Sequence, residues 1–257
     1  MKQKAKSDLA TRAAVGVALI GLAALALWAG GFVFWLVLVV AGLLMMSEWA
    51  ELAGAPFRHK RLAQYALSVP LAVMCPLALG PDFFALGLVF GAAFFIAVIC
   101  GRGRMGLGVL YVGLPVLALL VLRAEPMGIL LTFWAMALVW ACDIGAYFTG
   151  RAIGGPKLAP DISPGKTWAG LIGGIVAAAL FGLALHWLFA LPLPLALNTP
   201  VLALVSQAGD LFESRLKREA GVKDSGNILP GHGGLLDRLD GLVPVAPIAA
   251  ILALVLT

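Results

Sequence analysis

Long apolar runs constrain this chain more than any other feature. Nine can be drawn, at residues 13–29, 32–50, 63–79, 83–100, 105–122, 128–148, 168–190, 196–212 and 241–257. A helix needs about 20 apolar residues to cross the hydrocarbon core of a bilayer, and most of these runs approach that length. Only 12% of the residues are charged, against 62% hydrophobic, and the mean hydropathy is +1.02. An ordinary soluble domain carries about 25% charged residues, so lipid is the solvent for most of this chain. The runs are rich in Leu, Ala, Val and Gly and lack the two-residue alternation of a membrane barrel strand. Within lipid, a segment must pair its own backbone N–H and C=O groups. The expectation is an all-α integral membrane protein of about nine transmembrane helices.

Basic residues concentrate in the cytoplasmic loops of membrane proteins. Nine spans starting from a cytoplasmic N-terminus put Lys2, Lys4, Lys6, Arg12, Arg58, Lys60, Arg61, Arg102, Arg104, Arg151, Lys157, Lys166, Arg215, Lys217, Arg218, Lys223 and Arg238 on that side. These are all of the 18 Lys and Arg except Arg123. The basic start MKQKAKSDLATR then reads as a cytoplasmic lead-in to the first span. The outer loops (Gly30-Gly31, Gly80-Pro81-Asp82, Arg123 to Met127 and LPLPLALNTP) are too plain to hold a charged substrate. The inner segments 149–167 and 213–240 are polar, basic and rich in glycine. The expected organisation is a transmembrane scaffold over 1–127, holding spans one to five, and a catalytic transmembrane region over 128–257 that carries both inner segments. The expected location is the cell inner membrane, with the active site facing the cytoplasm. Cys75, Cys100 and Cys142 form no C-x-x-C pair and lie in or beside apolar runs, which predicts free thiols and no disulfide framework.

A carboxylate inside a span costs about 2.5–3.5 kcal/mol on insertion scales and signals function by default. Asp143 lies well inside a run, between Trp140-Ala141-Cys142 and Ile144-Gly145-Ala146-Tyr147. Glu48 and Glu51 stand at the end of another, where snorkelling beside Arg58 or Arg61 accounts for them. His186 reads as a packed or interfacial residue, and His59 as part of a basic surface facing lipid phosphates.

Charge is densest over 207–241, QAGDLFESRLKREAGVKDSGNILPGHGGLLDRLDG. Asp210, Glu213 and Lys217 share a face if the eighth helix continues through them. Asp237 and Asp240 are three apart at the entry to the last run. Gly231, Gly233 and Gly234 surround His232, and glycines let backbone N–H groups approach phosphate oxygens closely. Such a run suits either a solvated loop of ordinary ion pairs or a metal–polyphosphate site. In the second, carboxylates bind Mg²⁺ and Lys and Arg neutralise the remaining charge. The density of charge and glycine beside a bilayer favours the second. In the other inner segment, Gly165-Lys166-Thr167 imitates the end of a P-loop. That motif needs glycine where Pro160 stands and a preceding strand, so it is excluded. Ser163 to Thr167 reads as a phosphate cradle or as a turn and helix cap.

Residues 214–240, SRLKREAGVKDSGNILPGHGGLLDRLD, closely resemble the motif of the phosphatidate cytidylyltransferases, or CDP-diacylglycerol synthases. That pattern is S-x-φ-K-R, four residues, K-D, a small residue two on, then φ-P-x-H-G-G-φ-x-D-R-φ-D, where φ is apolar. Every fixed position is filled. The segments Asp143 to Tyr147, SPGKTWAG at 163–170 and SEWAEL at 47–52 resemble the family too. The resemblance implies that CTP and phosphatidate give CDP-diacylglycerol and pyrophosphate with Mg²⁺ and a possible second metal ion. It also implies metal-ligand aspartates at Asp210 and Asp237, a multi-span helical fold and a homodimer. Asp143 and Asp240 are further candidate metal ligands.

The phosphate nucleophile is already anionic, so catalysis reduces to positioning and charge neutralisation. Candidate catalytic residues are Asp210, Asp237, Lys217, Arg218 and His232. Candidate substrate-binding residues are Ser163, Lys166, Lys217, Arg218, Lys223, Asp224 and Arg238. CTP, phosphatidate and membrane lipids are the expected partners, and no nucleic acid is. Two rivals stand beside this reading: another CTP-using membrane enzyme, such as a lipid kinase or an isoprenoid cytidylyltransferase, and a transporter.

Overall fold

The computed structural model describes the backbone of residues 2–229, 231 and 233–257, with side chains from residue 14 onward. His232, a candidate catalytic residue, lies outside the described residues. The elements are α1 (Lys2–Ala29), α2 (Gly31–Leu52), α3 (Phe57–Val73), α4 (Phe83–Ile99), α5 (Gly103–Ala124) and α6 (Gly128–Ile153). They continue with β1 (Lys157–Ala159), β2 (Ser163–Thr167), α7 (Trp168–Phe189), α8 (Leu193–Glu219), α9 (Leu236–Leu239) and α10 (Leu242–Leu256).

Helices dominate as expected, but the count of nine spans is overturned. Among the described residues, five helices are long and apolar enough to cross a membrane: α2, α5, α6, α7 and α8. The chain is thus a multi-pass membrane protein with fewer full-length spans than its apolar runs suggested. The discrepancy arises because an apolar run and a helix need not coincide. The run at 63–79 does not match α3, which starts among Arg58, His59, Lys60 and Arg61 and stops at Val73, three residues before Pro76. Proline cannot continue a helix without losing a hydrogen bond. Helix α10 has only 15 residues. At 1.5 Å per residue it spans roughly 22 Å, short of a hydrocarbon core of about 30 Å.

The second departure is a small antiparallel hairpin, in which Lys157 pairs with Thr167 and Ala159 with Ser163. It stands where no strand was expected. Pro156, Pro160 and Pro164 interrupt any helix there. Helix resumes at Trp168 because Thr167 caps it: its hydroxyl accepts from Gly170 N–H at 3.0 Å.

The chain divides into two compact units, one of residues 1–117 with 220–239, the other of residues 118–219 with 240–257. In the first, Trp49 on α2 is buried against α5, where Gly108 leaves room for its indole, and its Nε1 donates to Arg104 O at 2.9 Å. Helix α2 also contacts α3 and α9, and α3 packs on α4. In the second unit, α6, α7 and α8 pack through small residues. Gly170, Gly174, Ala178 and Gly182 recur every four residues along the buried face of α7. A methyl on Gly174 would lie 2.8 Å from Cys142 O, and one on Gly145 would lie 2.4 Å from Ala177 Cβ. In lipid, close approach through small residues is a main source of helix association. Trp134 ties α6 to α8 by donating to Thr199 Oγ1 at 3.0 Å. Cys75, Cys100 and Cys142 are free thiols.

Candidate active site

Strand β2 turns Lys166 toward α8. Its ammonium donates to Gln207 Oε1 at 2.8 Å and pairs with Asp210 Oδ2 at 2.5 Å. Gln207 is only 5% exposed, and its two ends are committed in opposite directions. Its oxygen accepts from Lys166, and its nitrogen donates to Asp143 Oδ1 at 3.0 Å. One amide thus joins an aspartate of α6 to a lysine of the hairpin. One turn beyond Asp210, the Ser214 hydroxyl donates to Asp210 Oδ1 at 3.2 Å.

Asp240 stands in the turn before α10 and accepts from Gly241 N–H at 2.7 Å. Helix α8 approaches this turn at Gly209, where a Cβ would meet Asp240 O at 2.6 Å and Pro244 Cγ at 2.5 Å. Burial, chiefly, and then the nearby Asp210 carboxylate push the Asp240 pKa up to about 7. Asp143 adds to the rise, while the Gly241 N–H and Lys217 oppose it. Three aspartates, from α6, α8 and the turn before α10, therefore lie within reach of one another's fields.

Helix α8 does continue past the eighth apolar run, to Glu219. Glu213, 1% exposed, is paired with Lys217 at 3.1 Å. Arg218 donates from Nε to Ile162 O at 3.4 Å, linking the end of α8 to the hairpin. Ser163 begins β2, three residues before Lys166.

The remaining candidates belong to the first unit. Asp237 opens the short helix α9 and gathers three donors on one oxygen. Ser225 N–H, Ser225 Oγ and Gly234 N–H approach Asp237 Oδ2 at 2.9, 3.0 and 2.8 Å. Leu229 N–H donates to Gly233 O at 3.0 Å, closing the loop, and Gly233 has φ +81. That is a left-handed conformation natural to glycine. Lys223, Asp224 and Arg238 are exposed.

Polar residues of these clusters missing from the sequence-derived set include Gln207, Ser214, Ser225 and Glu48. Gln207 had a signal, since an amide in an apolar run faces the desolvation cost that singled out Asp143. Glu48 was read as snorkelling at the membrane surface. In the structure it is 1% exposed, and its neighbour Glu51 pairs with Lys60 instead.

The pattern described as the cytidylyltransferase family matches residues 10–256. The chain belongs to this family. A phosphatidate cytidylyltransferase of Brucella suis biovar 1 (strain 1330) is 43% identical over 248 residues, covering 93% of this chain and 91% of that protein. That of Pseudomonas aeruginosa PAO1 is 38% identical over 223 residues, 80% of this chain and 82% of its own. That of Bacillus subtilis 168 is 44% identical over 149 residues, 56% and 55% of the two chains.

Family membership implies dependence on a divalent cation. Among the described residues, no group of three or more His, Cys, Asp or Glu is drawn together tightly enough to hold a metal ion. The donor chemistry of the second unit does fit one. Asp143, Asp210, Asp240 and the Gln207 carbonyl offer only oxygen ligands, the preference of Mg²⁺, and Asp210 and Asp143, which add to the burial that raises the Asp240 pKa, are negative charge that a cation would offset.

Proposed function

We propose that this chain transfers the CMP moiety of CTP to phosphatidate, yielding CDP-diacylglycerol and pyrophosphate in phospholipid biosynthesis, and that it does so with Mg²⁺ by direct displacement. The observation that carries the site assignment is the second-unit cluster, where Lys166 and Gln207 link Asp143 to Asp210 beside the electrostatically burdened Asp240.

The obstacle in this reaction is repulsion, because one phosphate anion attacks the α-phosphorus of another. When bound, a divalent cation supplies Lewis-acid charge neutralisation at the attacking and leaving oxygens. Asp143, Asp210 and Asp240 are its proposed ligands in this cluster, and Asp237 keeps the ligand role that the family resemblance implies. Lys166 lies close enough to Asp210 to change partners, from that carboxylate to a substrate phosphate. Ser163 donates its hydroxyl from the same strand. Lys217 and Arg218 on α8, and Lys223 and Arg238 on the 220–239 segment, neutralise the triphosphate and the phosphatidate headgroup. Asp224 orients substrate, and His232 either hydrogen-bonds a phosphate or orders its glycine loop. No nucleophile on the protein is required, since the substrate brings its own.

CTP is a cytoplasmic nucleotide, so the active site is placed on the cytoplasmic side of the cell inner membrane, with the acyl chains remaining among membrane lipids. A homodimer is proposed from the same resemblance.

The test is purified protein with phosphatidate and CTP labelled at the α- or the γ-phosphate, with and without Mg²⁺. The α-label should enter the lipid only when Mg²⁺ is present. Entry of the γ-label would identify a kinase, and no labelled lipid at all would refute the proposal. Asp210→Ala and Asp237→Ala should each abolish transfer while the protein still inserts and purifies.

A further inference from the structure

We infer that Glu48, on α2, is a positioning residue for Asp237. The inference rests on the proposed reaction for its functional meaning, but its structural content stands apart from that reaction. Glu48 is a buried carboxylate near the end of a span, where a charge is costly. Every hydrogen bond it accepts comes from the glycine-rich segment far along the chain. Leu235 N–H reaches Oε1 at 2.8 Å. Leu236 N–H and the Ser225 hydroxyl reach Oε2 at 2.8 and 3.1 Å. Leu235 and Leu236 are the two residues immediately before Asp237.

Ser225 makes the coupling direct. Its Oγ lies 3.1 Å from Glu48 Oε2 and 3.0 Å from Asp237 Oδ2. A hydroxyl has one proton to donate, so the two acids compete for it. Three donors fall on Asp237 Oδ2, which constrains the orientation of the carboxylate. Glu48 thereby fixes both the backbone from which Asp237 departs and the proton supply of the oxygen that anchors it.

Two glycines show how closely the segment is pressed onto this acid. A Cβ on Gly226 would lie 2.9 Å from Glu48 Oε1. One on Gly234 would lie 2.1 Å from Ser225 Oγ and 2.7 Å from Glu48 Oε2. Glu48 thus has a role distinct from the substrate-touching residues: it acts on the reaction through Asp237.

The experiment compares the full-length wild type with Glu48→Gln, Glu48→Asp and Ser225→Ala in detergent. It combines site-resolved hydrogen exchange without substrates and steady-state kinetics. In Glu48→Gln, the amides of Leu235 and Leu236 should exchange at least about tenfold faster, with Ser225 and Gly234 following, while α4 stays protected. The kcat should fall about 100-fold, as expected for displacement of a catalytic group by roughly an ångström, with little change in KM for CTP. Glu48→Asp, which keeps the charge but shortens the reach, should recover part of the lost kcat. If Glu48→Gln fails to fold, Ser225→Ala carries the test, with faster exchange at Gly234 and a kcat lowered about tenfold. Unchanged exchange in the 225–236 segment, or loss of activity only in proportion to loss of folded protein, would overturn the inference. Should the wild type itself make no CDP-diacylglycerol, the proposed function fails, while the exchange data still decide whether Glu48 holds the segment.

Discussion

The two units use acidic side chains in opposite ways. In the first, Glu48 and Asp237 are surrounded by donors: four backbone N–H groups and one shared hydroxyl converge on three of their oxygens. In the second, Asp210 and Asp143 add to the burial that raises the Asp240 pKa, and the three aspartates are met by Lys166, the Gln207 amide, the Ser214 hydroxyl and the Gly241 N–H. Backbone N–H groups fasten Glu48 and orient Asp237, which is itself a candidate ligand. In the second unit the neighbouring carboxylates add negative charge that a cation would offset. The same residue type is thus oriented by the backbone in one unit and mostly by side chains in the other.

Substitutions that exchange these roles should break the contrast. Among substitutions that leave every carboxylate in place, the largest effect is expected from Lys166→Met, which removes the cation between Gln207 and Asp210. Loss of one preorganised charged donor should lower kcat by about 10²–10³-fold with little change in the melting temperature, measured by steady-state turnover and thermal unfolding. In the first unit the pattern should invert. Gly234→Ala forces a methyl against Ser225 and Glu48, and overpacking of this kind costs about 1–3 kcal/mol. Thermal unfolding should show the loss, and the residual folded enzyme should turn over poorly.

The smallest effect sharpens the electrostatic side. The folded protein holds the Asp240 proton up to about pH 7, well above the ordinary carboxyl range. Between those two values the folded state binds more protons than the unfolded one, so stability falls as pH rises. Without divalent cations, wild-type stability should therefore decline from pH 5 to pH 8 more steeply than that of Asp240→Asn. Parallel profiles would show that Asp240 is not the group responsible.

Much of this was legible in the sequence because membrane solvation makes polar residues conspicuous. Asp143 and Asp210 stood out against apolar runs, and Asp237 and Asp240 fell on a motif with fixed spacing. What hydropathy could not give was where helices start and stop. Phe57–Val73 includes a basic cluster at its start and excludes the apolar residues after it, and α10 is too short for a full crossing. The hairpin was hidden because five residues of Ser-Pro-Gly-Lys-Thr carry no strand pattern. It is placed by interrupting prolines and a threonine cap rather than by periodicity. Glu48 was misread for a related reason. A carboxylate at a span end ordinarily reaches for water, and only the fold shows that its partners lie in a segment 177 to 188 residues away.

The contrast is tested most directly by turnover as a function of Mg²⁺ concentration in the wild type and in Asp210→Asn. The wild type should show a saturable requirement. Asp210→Asn should need at least about tenfold more Mg²⁺ or show no turnover, as expected when a ligand of a catalytic cation is weakened. A variant that kept both the wild-type Mg²⁺ dependence and the wild-type rate would contradict the assignment of cation-dependent chemistry to this aspartate cluster.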